Sequence, residues 1–217
     1  MNLPVVIIGL VGTIVFLIGQ LAFIFIYYRK NIGIGFSLLN RFPFEAMLAL
    51  HPLERRLLQI PLALFAVAVT AFFYGAFVAA NLFLTYLILF VAVLAALSFV
   101  LLFYVKTTFV EKHVLVASLF MMLILLLSLL VTYYAFTTPF DGVYHILLRY
   151  AAPALAMIQL LIMINPRLKS WGVLEAQKNG AAVSYVRPRV FILPLSEWIT
   201  LANLVLLMLA TALAVFL

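Results

Sequence analysis

Long runs of hydrophobic residues, separated by short polar segments, are the dominant pattern in the chain. The longest run extends from Leu57 to Val105 and contains neither a charged residue nor a histidine. As one helix, this run would be roughly 74 Å long at 1.5 Å per residue, whereas the hydrocarbon core of a bilayer is about 30 Å thick. The run is therefore predicted to cross a membrane twice, as a helical hairpin that turns near Tyr74-Gly75 or near Asn81.

The other hydrophobic runs are each long enough for one crossing, so the sequence predicts an all-α, polytopic transmembrane bundle with six spans. All 217 residues are assigned to this single membrane domain. The predicted spans cover residues 4–28, 59–80, 82–105, 114–136, 143–165 and 197–217. The longer connections are predicted to lie on one side of the membrane and cover residues 29–58, 106–113 and 166–196.

The distribution of basic residues predicts the orientation of the bundle. The chain contains 13 Lys and Arg residues, and all of them except Arg149 lie on the side of the three longer connections. Cytoplasmic loops of membrane proteins carry an excess of such residues. These connections are therefore predicted to be cytoplasmic, which places the N-terminus and the C-terminus outside. The first hydrophobic run lacks the basic start and the cleavage site of a secretory signal, so we expect a retained span.

The composition also indicates an integral membrane protein. Hydrophobic residues make up 69% of the chain and charged residues 9%, against about 25% charged residues in soluble domains. The net charge of +7 comes from basic residues beside the spans, where they are expected to contact anionic lipid headgroups on the cytoplasmic side. No nucleic-acid partner is expected. The chain has no cysteine, which excludes disulfides and thiolate chemistry.

The first long cytoplasmic connection contains a candidate partner-binding segment. Pro43 is predicted to begin a short helix that lies in the plane of the membrane interface, and Pro52 is predicted to end it. Charged residues in and after this segment are candidate contacts for a partner, which we expect to be another membrane protein. These residues are Arg41, Glu45, Arg55 and Arg56.

The last long connection is predicted to contain a β-hairpin. Two strand-like segments flank Asn179-Gly180, a pair that favours the positive φ angles of a tight turn. A two-stranded hairpin is marginally stable alone, so this one is expected to rest on the membrane surface or on a partner, with Arg187 and Arg189 as further candidate contacts. Ser196 is predicted to be the N-cap of the last helix, with Glu197 in the first turn.

Asp141, His145 and Arg149 form the most distinctive polar group. At spacings of four residues they lie within about 80° of one another on one face of the fifth helix, at its outer end. One hypothesis is a ligand site open to the outside, in which Arg149 binds an anionic group and His145 modulates it by protonation. The alternative is structural: Asp141 caps the helix and Arg149 extends its side chain to the outer headgroups.

Catalytic and cofactor chemistry has little support in the sequence. The middle of each predicted span lacks Asp and Glu, which argues against a carboxylate-dependent, ion-coupled carrier. The histidines are distributed over both sides of the membrane, so we predict no metal site, no catalytic residues and no cofactor. An acid–base site on the cytoplasmic side would have to be assembled from separate connections. Its candidate members are Glu45, His51, Glu54, Glu111, His113 and Glu175.

Three functions are compatible with these features. The first is a non-enzymatic accessory subunit or scaffold in a larger membrane complex. The second is a small-molecule binding or uptake protein with its ligand site at the outer end of the fifth helix. The third, least favoured, is a lipid-modifying enzyme at the cytoplasmic interface. The expected location is the cell membrane, with a prokaryotic plasma membrane favoured.

Overall fold

The structure of the protein, a computed structural model, describes residues 2–27, 42, 52–78, 82–105, 110–138, 143–165, 175–179, 182–186 and 192–216. Within these residues there are six α-helices and two short β-strands. The helices are α1 (Leu3–Tyr27), α2 (Pro52–Phe77), α3 (Leu82–Leu102), α4 (Val110–Thr137), α5 (Val143–Met163) and α6 (Ile192–Phe216). The strands are β1 (Glu175–Asn179) and β2 (Ala182–Val186).

All six helices are long and apolar enough to cross a membrane, so the prediction of six spans is confirmed. The longest hydrophobic run forms two of them, α2 and α3, and the chain turns between Phe77 and Leu82. Of the two predicted turn positions, Gly75 lies inside α2, and Asn81 lies outside the described residues. The orientation of the bundle in the membrane stays a prediction.

Pro52 is the first residue of α2. The predicted connection 29–58 is therefore too long, because Arg55 and Arg56 are already helical. The first N–H groups of a helix have no partner within the helix, so a proline at the first position loses no hydrogen bond. Three predicted features of this connection lie outside the described residues: the short helix from Pro43, Arg41 and Glu45.

The last helix also begins earlier than predicted, at Ile192 rather than at residue 197. Pro194 lies in its first turn, for the same reason as Pro52. Ser196 is therefore not the N-cap, and its hydroxyl donates to the carbonyl of Leu193 at 2.7 Å. Glu197 lies in the second turn, inside the segment that is apolar enough to span a membrane. The last spanning helix thus contains a carboxylate near one end, as predicted, but one turn farther from the helix start.

His113 was predicted to lie in the connection 106–113, but α4 begins at Val110 and includes it. The charged residues Glu111 and Lys112 favoured a loop in the sequence, although an acidic residue such as Glu111 is favourable in the first turn of a helix. His113 is only 1% exposed. Its position is therefore in the interior of the bundle and not in a solvated loop.

Consecutive helices pack against each other, and α6 additionally contacts α1, α2 and α4. Helix ends that meet show the antiparallel arrangement. The N–H of Asn2, before α1, donates to the carbonyl of Gly75 at 2.9 Å, and the Thr85 hydroxyl, near the start of α3, donates to the carbonyl of Phe77 at 2.6 Å. The bundle therefore has a short-turn end, where α1, α3 and α5 begin, and a long-connection end, where α2, α4 and α6 begin. The long-connection end is the predicted cytoplasmic end.

A row of phenylalanines occupies the centre of the bundle. The ring centroids of Phe16 and Phe65 are 4.8 Å apart, as are those of Phe65 and Phe99. The row continues from Phe99 to Phe120 at 5.4 Å. These contacts link α1, α2, α3 and α4 at distances typical of favourable aromatic pairs. Since lipid provides no hydrophobic driving force between helices, such van der Waals packing stabilises the bundle.

Gly9 brings the backbones of α1 and α2 close together. A Cβ atom added at Gly9 would lie 2.6 Å from the carbonyl oxygen of Ala68 and 2.6 Å from the backbone nitrogen of Phe72. Because both neighbours are backbone atoms, neither can move aside without shifting a helix. By contrast, a Cβ at Gly19 would meet nothing within 4 Å. Close approach through small residues is a common mode of helix association in membranes.

The predicted hairpin is present in the connection between α5 and α6. β1 and β2 pair antiparallel, with Glu175 opposite Val186 and Asn179 opposite Ala182. Asn179 of the predicted turn is the last residue of β1, and Gly180 lies outside the described residues. Among the described elements, the strands form extensive contacts only with each other. Arg187 and Arg189 lie outside the described residues.

Candidate ligand-binding cavity

His145 and Arg149, two of the residues predicted to bind a ligand, converge on the end of the neighbouring helix. The Nε2–H of His145 donates to the carbonyl oxygen of Ala135 at 3.0 Å. The Nε–H of Arg149 donates to the same oxygen at 2.8 Å, and its Nη2 lies 3.4 Å from the carbonyl oxygen of Thr138. Asp141, the third member of the predicted group, lies outside the described residues.

This arrangement has a clear structural role. Ala135 is among the last four residues of α4, whose carbonyl groups have no partner within the helix. Two donors from α5 satisfy the Ala135 carbonyl, and the positive charge of Arg149 is favourable near a helix C-terminus. His145 is buried and Arg149 is half-buried. The contacts support the structural alternative, with α4 rather than the lipid headgroups as the acceptor, and ligand binding at these residues stays a prediction.

A second polar contact joins α4 to α6 at the long-connection end. His113 Nε2 is hydrogen-bonded to Glu197 Oε1 at 2.8 Å, and the two side chains are 2% and 1% exposed. The ring of Phe42 packs edge-on against the imidazole, with centroids 4.8 Å apart. Glu197 Oε2 is also buried and accepts no hydrogen bond within the described part of the chain. A carboxylate and an imidazole thus form a pair inside the bundle.

The sequence-based acid–base group included His113 but not its actual partner. Glu197 was interpreted as a first-turn residue that stabilises the helix dipole, which concealed its inward position. A usable signal was its place between apolar residues in a segment without another charge from Ile192 onward. At 1–2% exposure, the pair lies within packed side chains and not in an open cleft, so the geometry does not favour the enzyme hypothesis.

A third polar group connects α5 to α6. The Nε2–H of Gln159 donates to the Thr200 hydroxyl at 3.0 Å, and the Nδ2–H of Asn203 donates to Gln159 Oε1 at 3.0 Å. The Thr200 hydroxyl in turn donates to the carbonyl of Ser196 at 2.8 Å. These side chains are buried. Hydroxyl and amide groups in spanning helices commonly form interhelical hydrogen bonds of this kind.

An apolar cavity of about 330 Å³ lies between α1, α3 and α6. Its walls come from Phe16, Leu17, Gln20 and Leu21 of α1, Phe99 of α3 with the following Phe103, and Trp198, Leu201, Ala202, Val205 and Leu206 of α6. Ligand sites in proteins are usually cavities of roughly 300–1,000 Å³ with apolar and aromatic walls and few polar groups. This cavity has that character, and it was not predicted from the sequence.

Gln20 is the polar amide in the wall of this cavity. Its Nε2 is buried and has no hydrogen-bond partner among the described residues. A buried donor without an acceptor costs about 1–3 kcal/mol. Gln159 hydrogen-bonds to another helix, but Gln20 Nε2 has no such partner in the described part of the chain. Gln20 thus places an unsatisfied donor in the wall of the cavity.

A shallower groove of about 530 Å³ lies nearer the short-turn end, between α1, α2 and α3. Its walls include the small side chains of Ala66, Thr70, Ala71 and Ala96. No buried donor or acceptor without a partner is known among the described residues of its wall. Compared with the cavity beside Gln20, this groove shows no feature that selects a ligand.

The described residues contain no group of three or more His, Asp or Glu side chains arranged to hold a metal ion. The six long apolar helices indicate a multi-pass membrane protein. Comparison with protein-family models, curated protein sequences and solved structures gives no match to this chain. Any more specific function must therefore be argued from the chain itself.

Proposed function

We propose that the protein binds a hydrophobic small molecule in the cavity between α1, α3 and α6. The observation that carries this proposal is the combination of an apolar cavity with one unsatisfied buried donor, the Nε2 of Gln20. An empty apolar cavity forfeits packing contacts along its walls. A ligand would restore these contacts and would also supply the missing acceptor.

The proposal belongs to the small-molecule binding class that the sequence favoured second, but it moves the site. The predicted site at the outer end of α5 contains His145 and Arg149, whose hydrogen bonds are used by the end of α4. The cavity lies toward the long-connection end of the bundle. Its aromatic wall, with Phe99 and Trp198, suits a hydrocarbon ligand better than an anion.

Native mass spectrometry of the purified protein tests this function. We expect a small molecule to remain bound after purification in mild detergent, and to be lost from the variant Ala202→Phe, whose ring fills the cavity. The matched control is Ala154→Phe on α5, because Ala154 is likewise exposed but lies outside the cavity wall. A protein that carries no small molecule, or carries it equally in both variants, contradicts the proposal.

A second candidate function, an accessory subunit, is favoured by the hairpin of β1 and β2. A two-stranded hairpin is marginal in water, and this one forms extensive contacts only within itself among the described elements. A partner membrane protein would stabilise it. Support would be a partner that co-purifies at constant stoichiometry and is lost when residues 175–186 are replaced by a glycine–serine linker. Purification of the protein with lipid alone would argue against this function.

A further inference from the structure

We infer that the ligand of the cavity is one acyl chain of a phospholipid from the surrounding bilayer, with an ester carbonyl that accepts a hydrogen bond from Gln20. This inference rests on the proposed function and specifies its ligand. Three features of the cavity support it: the depth of its polar end, the length of its apolar part and its access from the lipid-facing surface.

The polar end of the cavity lies near the long-connection end of the bundle. Gln20 is seven residues before the end of α1 at Tyr27, which is about 10 Å along the helix axis. Trp198 is six residues after the start of α6 at Ile192, about 9 Å along that helix. The two residues are thus at similar depth on antiparallel helices. Tryptophan is enriched at this level of a membrane, where the apolar and polar regions meet.

The rest of the cavity is apolar and extends away from this end. On α6 the wall continues from Trp198 to Leu206, a distance of about 12 Å along the axis. On α1 it continues from Gln20 back to Phe16. A molecule that fits this space has a polar acceptor at one end and a hydrocarbon chain directed toward the bilayer centre. That is the orientation of a phospholipid in the leaflet at the long-connection end.

The cavity wall reaches from the core to the surface of the bundle. Leu201 and Phe99 are buried, whereas Leu206 is 50% exposed and Ala202 is also exposed. In the described residues, the buried contact between α1 and α6 is at Ile24 and Trp198, beside the polar end of the cavity. Below that contact, the surface residues of α6 border the cavity directly. An acyl chain can therefore enter from the bilayer without crossing an aqueous phase.

The chemistry of Gln20 selects the acceptor. Its unsatisfied Nε2 is a neutral donor, which matches a carbonyl oxygen without requiring an ionised partner. Among the described residues, no Lys or Arg contributes to the cavity wall, so these residues offer no counter-charge to a carboxylate or a phosphate inside the cavity. Burial of an unpaired charge is costly. An ester carbonyl satisfies the donor and avoids that cost.

Photo-crosslinking to a defined lipid tests the inference. The full-length protein is reconstituted in nanodiscs of phosphatidylglycerol that contains a diazirine in the middle of one acyl chain, irradiated and analysed by peptide mass spectrometry. We expect labelling of Leu201, which is 5% exposed, but not of Leu207, which is 0% exposed and outside the cavity wall. Labelling of Leu206 carries no weight, because bulk lipid also reaches that residue.

Two variants distinguish an acyl chain bound in the cavity from incidental contact with bulk lipid. Ala202→Phe should abolish the labelling of Leu201, and the control Ala154→Phe should retain it. Gln20→Leu keeps the apolar wall but removes the donor, so phospholipid retention in native mass spectrometry should fall about fivefold, the effect of one ordinary hydrogen bond. Unchanged retention in Gln20→Leu would overturn the role of the carbonyl contact.

The failure of this inference is distinguishable from failure of the proposed function. If the cavity retains a molecule that Ala202→Phe displaces, but its mass is that of a free fatty acid or of a compound other than a phospholipid, the inference is wrong and the proposed function stands. If Leu201 remains unlabelled and no small molecule is retained, both are wrong.

Discussion

His113 and Glu197 are 84 positions apart in the chain, yet His113 Nε2 lies 2.8 Å from Glu197 Oε1 in the bundle interior. This hydrogen bond connects the first turns of α4 to the second turn of α6. Because Trp198 follows Glu197 directly, the same contact fixes the part of α6 that forms the polar end of the cavity. Ionisable residues in spanning helices almost always face the interior and pair, as these two do.

Removal of one member of this pair should destabilise the protein strongly. Glu197→Ala leaves a buried histidine without its carboxylate and is expected to cost about 3–5 kcal/mol of unfolding free energy, whereas Glu197→Gln keeps a hydrogen-bonding group and should cost less. Unfolding by SDS in mixed micelles measures both variants. In a double-mutant cycle with His113→Ala, the effects of the two substitutions on the unfolding free energy should not be additive. Additive effects would contradict a direct contact.

Gly9→Ala should weaken the packing of α1 on α2. The added methyl group would lie 2.6 Å from two backbone atoms, so the helices must separate, at a cost of about 1–3 kcal/mol. The matched control is Gly19→Ala in the same helix, where the methyl group meets open space. Thermal unfolding in detergent should show a lower midpoint for Gly9→Ala only. An equal effect of both substitutions would indicate a loss of backbone flexibility in place of a steric clash.

Arg149→Ala tests whether the arginine is structural or binds a ligand. The structure gives Arg149 a hydrogen bond to the end of α4, and hydrogen bonds that involve a charged group contribute about 1.5–3 kcal/mol. We therefore expect lower stability, with partial retention in Arg149→Lys. The measurement is unfolding free energy beside the mass-spectrometric analysis of bound small molecules. Unchanged stability with loss of a bound anion would instead support the site predicted from the sequence.

Thr200→Val should disrupt the polar connection between α5 and α6. The substitution preserves shape but leaves Gln159 Nε2 without its acceptor, and interhelical hydrogen bonds of this kind contribute roughly 0.6–2 kcal/mol. Thr211→Val on the same helix is the control, because the buried Thr211 hydroxyl has no hydrogen-bond partner among the described residues. We expect a loss of stability for Thr200→Val and no loss for Thr211→Val. The reverse order would argue against the connection.

The absence of native cysteine allows a direct test of the predicted orientation. A cysteine at Lys178 should react with a membrane-impermeant maleimide only after the cells are opened, and a cysteine at Thr138 should react in intact cells. The expectation follows from the excess of basic residues on the side of Lys178. Cysteine at the buried Leu207 should react in neither case. Reaction of Lys178→Cys in intact cells would show that the bundle has the opposite orientation to the predicted one.

The number and positions of the spanning helices were predictable because they depend on the length of hydrophobic runs. The helix starts were less predictable, since Pro52 and Pro194 are compatible both with the end of one element and with the first turn of the next. Similarly, the charged residues next to His113 are compatible both with a loop and with the first turn of a helix. Local sequence signals show which secondary structures a segment can adopt, and tertiary packing determines which of them forms.

The polar contacts could not be predicted, because they depend on which helix faces which. Gln159 and Gln20 have the same side chain in similar apolar surroundings, yet one bridges to Thr200 and the other faces a cavity. The four-residue spacing of His145 and Arg149 correctly placed them on one face. This spacing could not reveal that the end of α4 lies opposite that face. The sequence therefore suggested an external ligand, whereas the two side chains hydrogen-bond to the Ala135 carbonyl.

The central position of α6 has a consequence for biogenesis. This helix follows the other five in the chain, and it supplies the partners of both His113 on α4 and Gln159 on α5. During translation, these two side chains therefore enter the bilayer before their partners exist. The hydrogen bonds from His113 to Glu197 and from Gln159 to Thr200 can therefore form only after α6 has joined the other helices.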